Sequence, residues 1–168
     1  SGNHDVRISG SKVDSSPFTE RFGDDCFLHE ERGVKLVGIN TCVIKVGDSL
    51  ETVQFQWLEN VLVKKDPSDV ALVFGHHPFF LADIDEPNSY FPIDSTKRRI
   101  YFDLFKKLET DAVYAGHRHC NCEGIYEDIP MKTTTSVAFQ IGDCEPSIRV
   151  ISVKDGEITD KQVEIFSE

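Results

Sequence analysis

Short apolar runs rich in β-branched residues alternate along the chain with stretches whose apolar positions recur at helical spacing. Val34 to Asn40 (VKLVGIN) is bounded by Gly33 and the turn-prone Asn40 and predicts a strand buried on both faces, with Cys26 to Glu30 as its hairpin partner. From Leu50 to Val63, the residues Val53, Trp57, Leu58, Val61 and Leu62 fall on one stripe, which predicts an amphipathic helix with Ser49 as its N-cap. Asp69 to Phe74 (DVALVF) predicts a second buried strand. A second helix is predicted from Thr96 to Leu108, capped by Asp94 or Ser95, with Ile100, Leu104, Phe105 and Leu108 on its buried side, and it leads into a strand from Ala112 to Ala115. Beyond that point the period changes to two. Gly124 to Tyr126, Met131 to Val137, Ile148 to Val153 and Glu157 to Phe166 predict the antiparallel strands of a β-meander. Alternating α and β elements followed by strands imply a layered α/β domain in which helices cover sheet faces.

The 168 residues fit one domain spanning 1–168, or a piece of one. With 39% hydrophobic residues, 12 of them Phe, the chain has material for a core and is not of the disordered class. No apolar run approaches the roughly 20 residues of a membrane span, and the first residues lack the basic and apolar segments of a signal peptide. A net charge of −11 repels a phosphate backbone, so neither nucleic acid nor membrane is an expected partner. The five cysteines (Cys26, Cys42, Cys120, Cys122 and Cys144) are odd in number, at spacings that suggest no disulfide framework, which predicts a reducing, cytoplasmic setting. Cys26, Cys42 and Cys144 read as small buried hydrophobes. Lys97-Arg98-Arg99 and Lys106-Lys107 read as a solvated helix face, and Asp83 to Asn88 as an exposed loop.

Candidate chemistry lies in three turns that hold every histidine except His29: Gly2-Asn3-His4-Asp5, Gly75-His76-His77-Pro78 and Gly116-His117-Arg118-His119. The last two each follow a predicted strand. Loops beyond the carboxyl ends of strands in open α/β sheets are where ligands bind, so the three turns can converge on one edge. Imidazole with amide or carboxylate oxygen suits Zn, Mn or Fe rather than Ca or Mg. A Gly before each His-bearing pair allows close backbone approach and an unusual φ. A lone histidine is more often a hydrogen-bonded structural residue, and it is the three turns jointly that point to a metal site.

The order G-N-H-D, H-x-P after a strand and G-H-x-H resembles the later motifs of the calcineurin-like metallophosphoesterase superfamily. Gln54-Phe55-Gln56-Trp57-Leu58, Phe79-Phe80-Leu81, Tyr90-Phe91 and Cys120-Asn121-Cys122-Glu123-Gly124 extend the likeness to the cytosolic serine/threonine phosphatases with a calcineurin-like phosphoesterase domain. The resemblance implies the C-terminal part of a layered α/β/β/α sandwich that lacks its first strands. It implies that Asn3, His76 and His117 bind one metal and His119 a second, the ions being Mn, Zn or Fe. His4 would meet the substrate phosphate and protonate the leaving oxygen, with Asp5 orienting His4. The implied reaction is two-metal hydrolysis of a phosphate monoester, with a phosphorylated protein among the possible substrates.

Two earlier motifs of that superfamily, D-x-H and G-D-x-x-D, are not found here; Gly47-Asp48-Ser49-Leu50-Glu51 lies after G-N-H-D and reads as a helix start. Neutral ligands alone provide no anionic bridge for two dications about 4 Å apart. The expectation is a chain carrying about half of a phosphatase site and needing an N-terminal half for the rest. The alternative is a non-catalytic binding or regulatory remnant of a phosphoesterase domain. A zinc knuckle built from His117, His119, Cys120 and Cys122 is disfavoured because those four crowd into one short segment.

Overall fold

The computed structural model describes residues 1–62 and 69–165. Strands β1 (Arg7–Ser9) and β2 (Lys12–Asp14) make a hairpin, followed by helix α1 (Ser16–Phe22), strands β3 (Phe27–Glu31) and β4 (Val34–Gly38), and helices α2 (Thr41–Val46) and α3 (Leu50–Leu62). Strand β5 (Val70–Phe74), helix α4 (Ser95–Lys107) and strand β6 (Ala112–Ala115) come next, then β7 (Glu123–Tyr126), β8 (Ile129–Thr133), β9 (Ser147–Lys154) and β10 (Glu157–Glu164). The predicted helix end at Val63 and strand end at Phe166 lie outside the described residues.

Six strands form one mixed sheet in the order β3-β4-β5-β6-β8-β7, with β4, β5, β6 and β8 parallel and antiparallel strands at both edges. The parallel strands are apolar on both faces because both are covered. Val37, Ala71, Val73, Val113 and Met131 pack with Ile44, Leu58, Phe102 and Phe105 of the helices. Val70, Leu72, Ala112 and Tyr114 form a second cluster against Ile151, Val153 and Ile158 of the β9–β10 hairpin. A helical layer, a central sheet and a second β layer result, in keeping with the predicted sandwich. The second β layer is fastened to β8: Asp160 accepts from Lys132 at 2.8 Å and pairs with Arg149, whose guanidinium also donates to the Thr133 carbonyl at 3.0 Å.

Several expectations are corrected. The C-terminal strands are not one meander, since β8 pairs parallel with β6 and β9–β10 form their own two-stranded sheet. A period of two reports a half-buried strand and not the identity of its neighbour. The cap of α3 is Asp48 rather than Ser49: its carboxylate accepts from Leu50 N at 2.8 Å and from Val13 N at 2.7 Å, pinning β2 to the helix start. Asp94 caps α4 as predicted, but Ile100, expected inside, is 55% exposed.

The buried side of α4 is instead Arg98, Tyr101, Phe102, Leu104 and Phe105. Arg98, expected on a solvated face, is fully buried and donates to the carbonyls of Ile93 (2.9 Å), Ile84 (3.2 Å) and Glu86 (2.6 Å). Carbonyl dipoles stand in for water around the cation, so the loop 84–93 is wrapped on the guanidinium and fixed.

A disulfide joins Cys120 to Cys144, with 5.5 Å between Cα atoms. It corrects the expectation of unpaired cysteines and uses a thiol that the zinc-knuckle alternative needs. The loop after β8 folds back on the Cys120 turn, a tertiary contact that cysteine spacing does not report.

The hydrogen bonds to Asp48 hold its carboxyl below the usual carboxylate range, the Leu50 amide contributing most. A depressed folded-state pKa stabilises the protein above the unfolded pKa of about 3.9 and ceases to as pH falls through the folded value. Asp48→Ala is expected to lower unfolding free energy by about 1 kcal/mol at pH 7, with the gap closing as acid is added; urea melts at stepped pH values measure it. Replacing Arg98 by Met strands three carbonyls and is expected to cost at least about 2 kcal/mol and to open the loop 84–93 to limited proteolysis. Unchanged cleavage there would mean that the loop holds itself.

Candidate metal centre

Strands β4, β5 and β6 are parallel neighbours, so the loops leaving their carboxyl ends share one edge of the sheet. The first of these loops enters α2. Asn40 caps that helix, its Oδ1 accepting from Cys42 N at 2.9 Å, while the Gln54 side chain holds the Asn40 backbone from both sides, accepting from N at 2.7 Å and donating to O at 3.2 Å. Thr41, thus fixed, accepts at its Oγ1 from His76 N (3.0 Å) and His77 N (2.7 Å) and so shapes the turn after β5.

That turn is tight. A Cβ on Gly75 would come within 2.5 Å of Thr41 Cγ2, and one on Gly2 within 2.9 Å of the His76 ring, so both glycines permit the close approach expected of them. At Gly116 a Cβ would meet open space, and the unusual backbone belongs to the histidines themselves: φ is +59° at His117 and +53° at His119. Left-handed residues without glycine are uncommon and concentrate where geometry serves a site.

The three turns meet at two imidazole nitrogens and an amide oxygen. His76 Nε2 lies 2.7 Å from Asn3 Oδ1 and 3.0 Å from His117 Nδ1. His77 adds a third imidazole, with its ring centroid 4.2 Å from that of His117, and one nitrogen from each of His76, His77 and His117 lies within 4.8 Å of the others. Burial pushes His76 and His117 down to about 4 and His77 down to about 2; the nearby Lys45 ammonium adds to the effect at His117. All three rings are therefore neutral at pH 7, with lone pairs available to a cation.

These residues fit a transition-metal ion. His76 Nε2 and His117 Nδ1 face each other across 3.0 Å. Two nitrogens on one zinc ion sit about 3.3 Å apart, so the His76–His117 pair needs little movement to share one. Imidazole nitrogens with one amide oxygen are the donor set that zinc, manganese or iron accepts.

Of the residues singled out in the sequence, Asn3, His76 and His117 come together. His119 lies outside the three-imidazole group; it packs its ring 5.7 Å from that of Phe139, and its Nδ1 is buried without a partner. His4 and Asp5 are exposed. Asp5 makes no hydrogen bond to His4 and instead accepts from Gly2 N at 2.8 Å, closing the Gly2–Asp5 turn that carries Asn3. His77, though inside a candidate turn, has no ligand role assigned from sequence, and Thr41 and Lys45 were not foreseen. A histidine next to a predicted ligand was the available signal for His77; nothing local marks Thr41 or Lys45, whose parts depend on contacts across the fold.

No family model matches the chain. It is 30% identical over 158 residues to the serine/threonine-protein phosphatase CPPED1 of Rattus norvegicus, covering 91% of this chain and 51% of that protein. The Danio rerio phosphatase of the same name is 31% identical over 163 residues, covering 94% and 53%, and that of Homo sapiens 30% identical over 159 residues, covering 91% and 51%. Among solved structures, GAP50, described as the anchor in the inner membrane complex of Plasmodium, superposes with a TM-score of 0.61 at 16% identity over 83% of this chain and 49% of that one, a likeness of fold. Motif order, layered fold and these relatives agree: the chain is similar to the serine/threonine-protein phosphatases named CPPED1 and spans about half the length of the curated relatives it matches.

Proposed function

We propose that the protein to which this chain belongs is a metal-dependent phosphatase that hydrolyses phosphate monoesters, with phosphoserine and phosphothreonine of proteins as substrates. The observation that carries the reading is the convergence of half-buried Asn3 and His76 with buried His77 and His117 into one neutral donor group at the carboxyl edge of the sheet. The names of the CPPED1 relatives support the reaction class.

Asn3, His76 and His117 would hold the first ion, and His119, two residues beyond His117, would serve a second of the same kind (Mn, Zn or Fe), completed by carboxylates that this chain does not carry. A bound ion would draw negative charge from the phosphoryl oxygens and so offset the acidity of the chain toward an anionic substrate. The remaining work falls to side chains. Asp5 keeps the Gly2–Asp5 turn closed and so holds the Asn3 amide against His76. His4, next in the chain and exposed, would give a proton to the leaving oxygen. Buried Thr41 sets the backbone from which His76 and His77 project.

Calorimetric titration with Mn or Zn is expected to show binding that His76→Ala or His117→Ala weakens by about 100-fold or more; undiminished binding by both variants would place the ion elsewhere. In the full-length protein, His4→Ala is expected to lower kcat on a phosphoserine peptide by about 100-fold or more with KM little changed. A loss confined to KM would make His4 a binding residue instead.

A further inference from the structure

The rim around the histidine turns is unusually aromatic for an exposed surface. Tyr90 is 69% exposed and its ring lies 5.4 Å from that of His117; Phe139 is 64% exposed and lies 5.7 Å from His119. Half-buried Phe91, 5.3 Å from the Tyr90 ring, sits 5.8 Å from His117 and carries the Arg118 guanidinium 4.7 Å above its ring. Large apolar rings held in water beside a polar site mark a surface that something else covers.

Two separate scaffolds hold these rings in place. The loop bearing Tyr90 and Phe91 is wrapped on buried Arg98, and Lys45 donates to the carbonyls of Ser89 (3.3 Å) and Pro92. Its acidic side chains are already engaged: Glu86 accepts from Leu81 N (2.8 Å) and Ala82 N (3.1 Å), and Asp85 pairs with Arg99. The loop bearing Phe139 is tied down by the Cys120–Cys144 disulfide, by Arg118 donating to the Ile141 carbonyl at 2.9 Å, and by Ile141 N donating to the His119 carbonyl at 3.3 Å. Rigid rings lose little entropy on contact, which favours binding to them.

We infer that Tyr90, Phe91 and Phe139 form a recognition rim for a phosphoserine or phosphothreonine peptide that carries an aromatic residue next to the phosphorylated one. This rests on the phosphatase reading above and adds the sequence preference of its substrate. An extended peptide advances about 3.3 Å per residue, so the neighbour of a residue whose phosphate meets the histidines falls within reach of rings centred 5.4 to 5.8 Å from His117 and His119. Edge or offset stacking between aromatic rings supplies the preference.

The test is fluorescence anisotropy with labelled peptides on the manganese-supplemented protein. One phosphoserine peptide has Tyr flanking the phosphoserine, a second has Gly, and each is paired with its unphosphorylated form. The Tyr-flanked phosphopeptide is expected to bind about tenfold more tightly than the Gly-flanked one, with the ratio falling toward one in a Tyr90→Ala, Phe139→Ala double variant whose folding is verified by its unchanged melting temperature. Equal, phosphate-dependent affinity for both peptides would overturn the rim and leave the phosphatase reading standing. Phosphopeptides that bind no better than their unphosphorylated forms would sink that reading, and the rim with it.

Discussion

Everything at the candidate site depends on the parallel pairing of β4, β5 and β6. Their register sets Val37 beside Val73 and Val73 beside Val113, and from there each strand runs a few residues further to the same edge. A parallel sheet survives in water only when both faces are covered, and here the helices cover one and the β9–β10 hairpin the other. Burial of those apolar strands thus delivers three polar loops to one place. The histidines are then fixed by what the loops meet: Thr41 beneath His76 and His77, Gly2 under the His76 ring, and left-handed backbone at His117 and His119.

Polar groups buried close to that edge are satisfied almost completely, which is what makes the site a defined structure. Asn40 and Gln54 pair through backbone and side chain, with the Asn40 amide also donating to Asp25 at 2.6 Å. Arg98 uses loop carbonyls in the same way on the other flank. Against this background the Nδ1 of His119, buried with no partner among the described residues, stands out. Buried donors and acceptors are rarely left alone in a native fold, and a ligand is the ordinary reason when they are.

The strands and long helices were legible because their apolar periodicity is strong: β4, β5, β6, α3 and α4 were all placed from sequence to within a few residues. Helix α2 was not, because Thr41 to Val46 is a short apolar run that resembles a strand continuation; tertiary contacts to Asn40 decide it. The β1–β2 hairpin was missed because two three-residue strands carry almost no pattern. The buried face of α4 was misjudged at Ile100, since a loop of carbonyls made Arg98 the better buried residue. At the site, motif order pointed to Asn3, His76 and His117, which the structure brings together, while the nearness of His77 and the Cys120–Cys144 bond needed three dimensions.

The central claim is that one ion is shared by the turns after Gly2, after β5 and after β6. A crystal structure of the manganese- or zinc-loaded chain with anomalous data at the metal edge tests it directly. The account predicts a peak within bonding distance of His76 Nε2, His117 Nδ1 and Asn3 Oδ1, roughly 2.0 to 2.2 Å from each in the zinc case. A peak elsewhere on the surface, with His76 still joined to His117 and Asn3 and no ion between them, would contradict it.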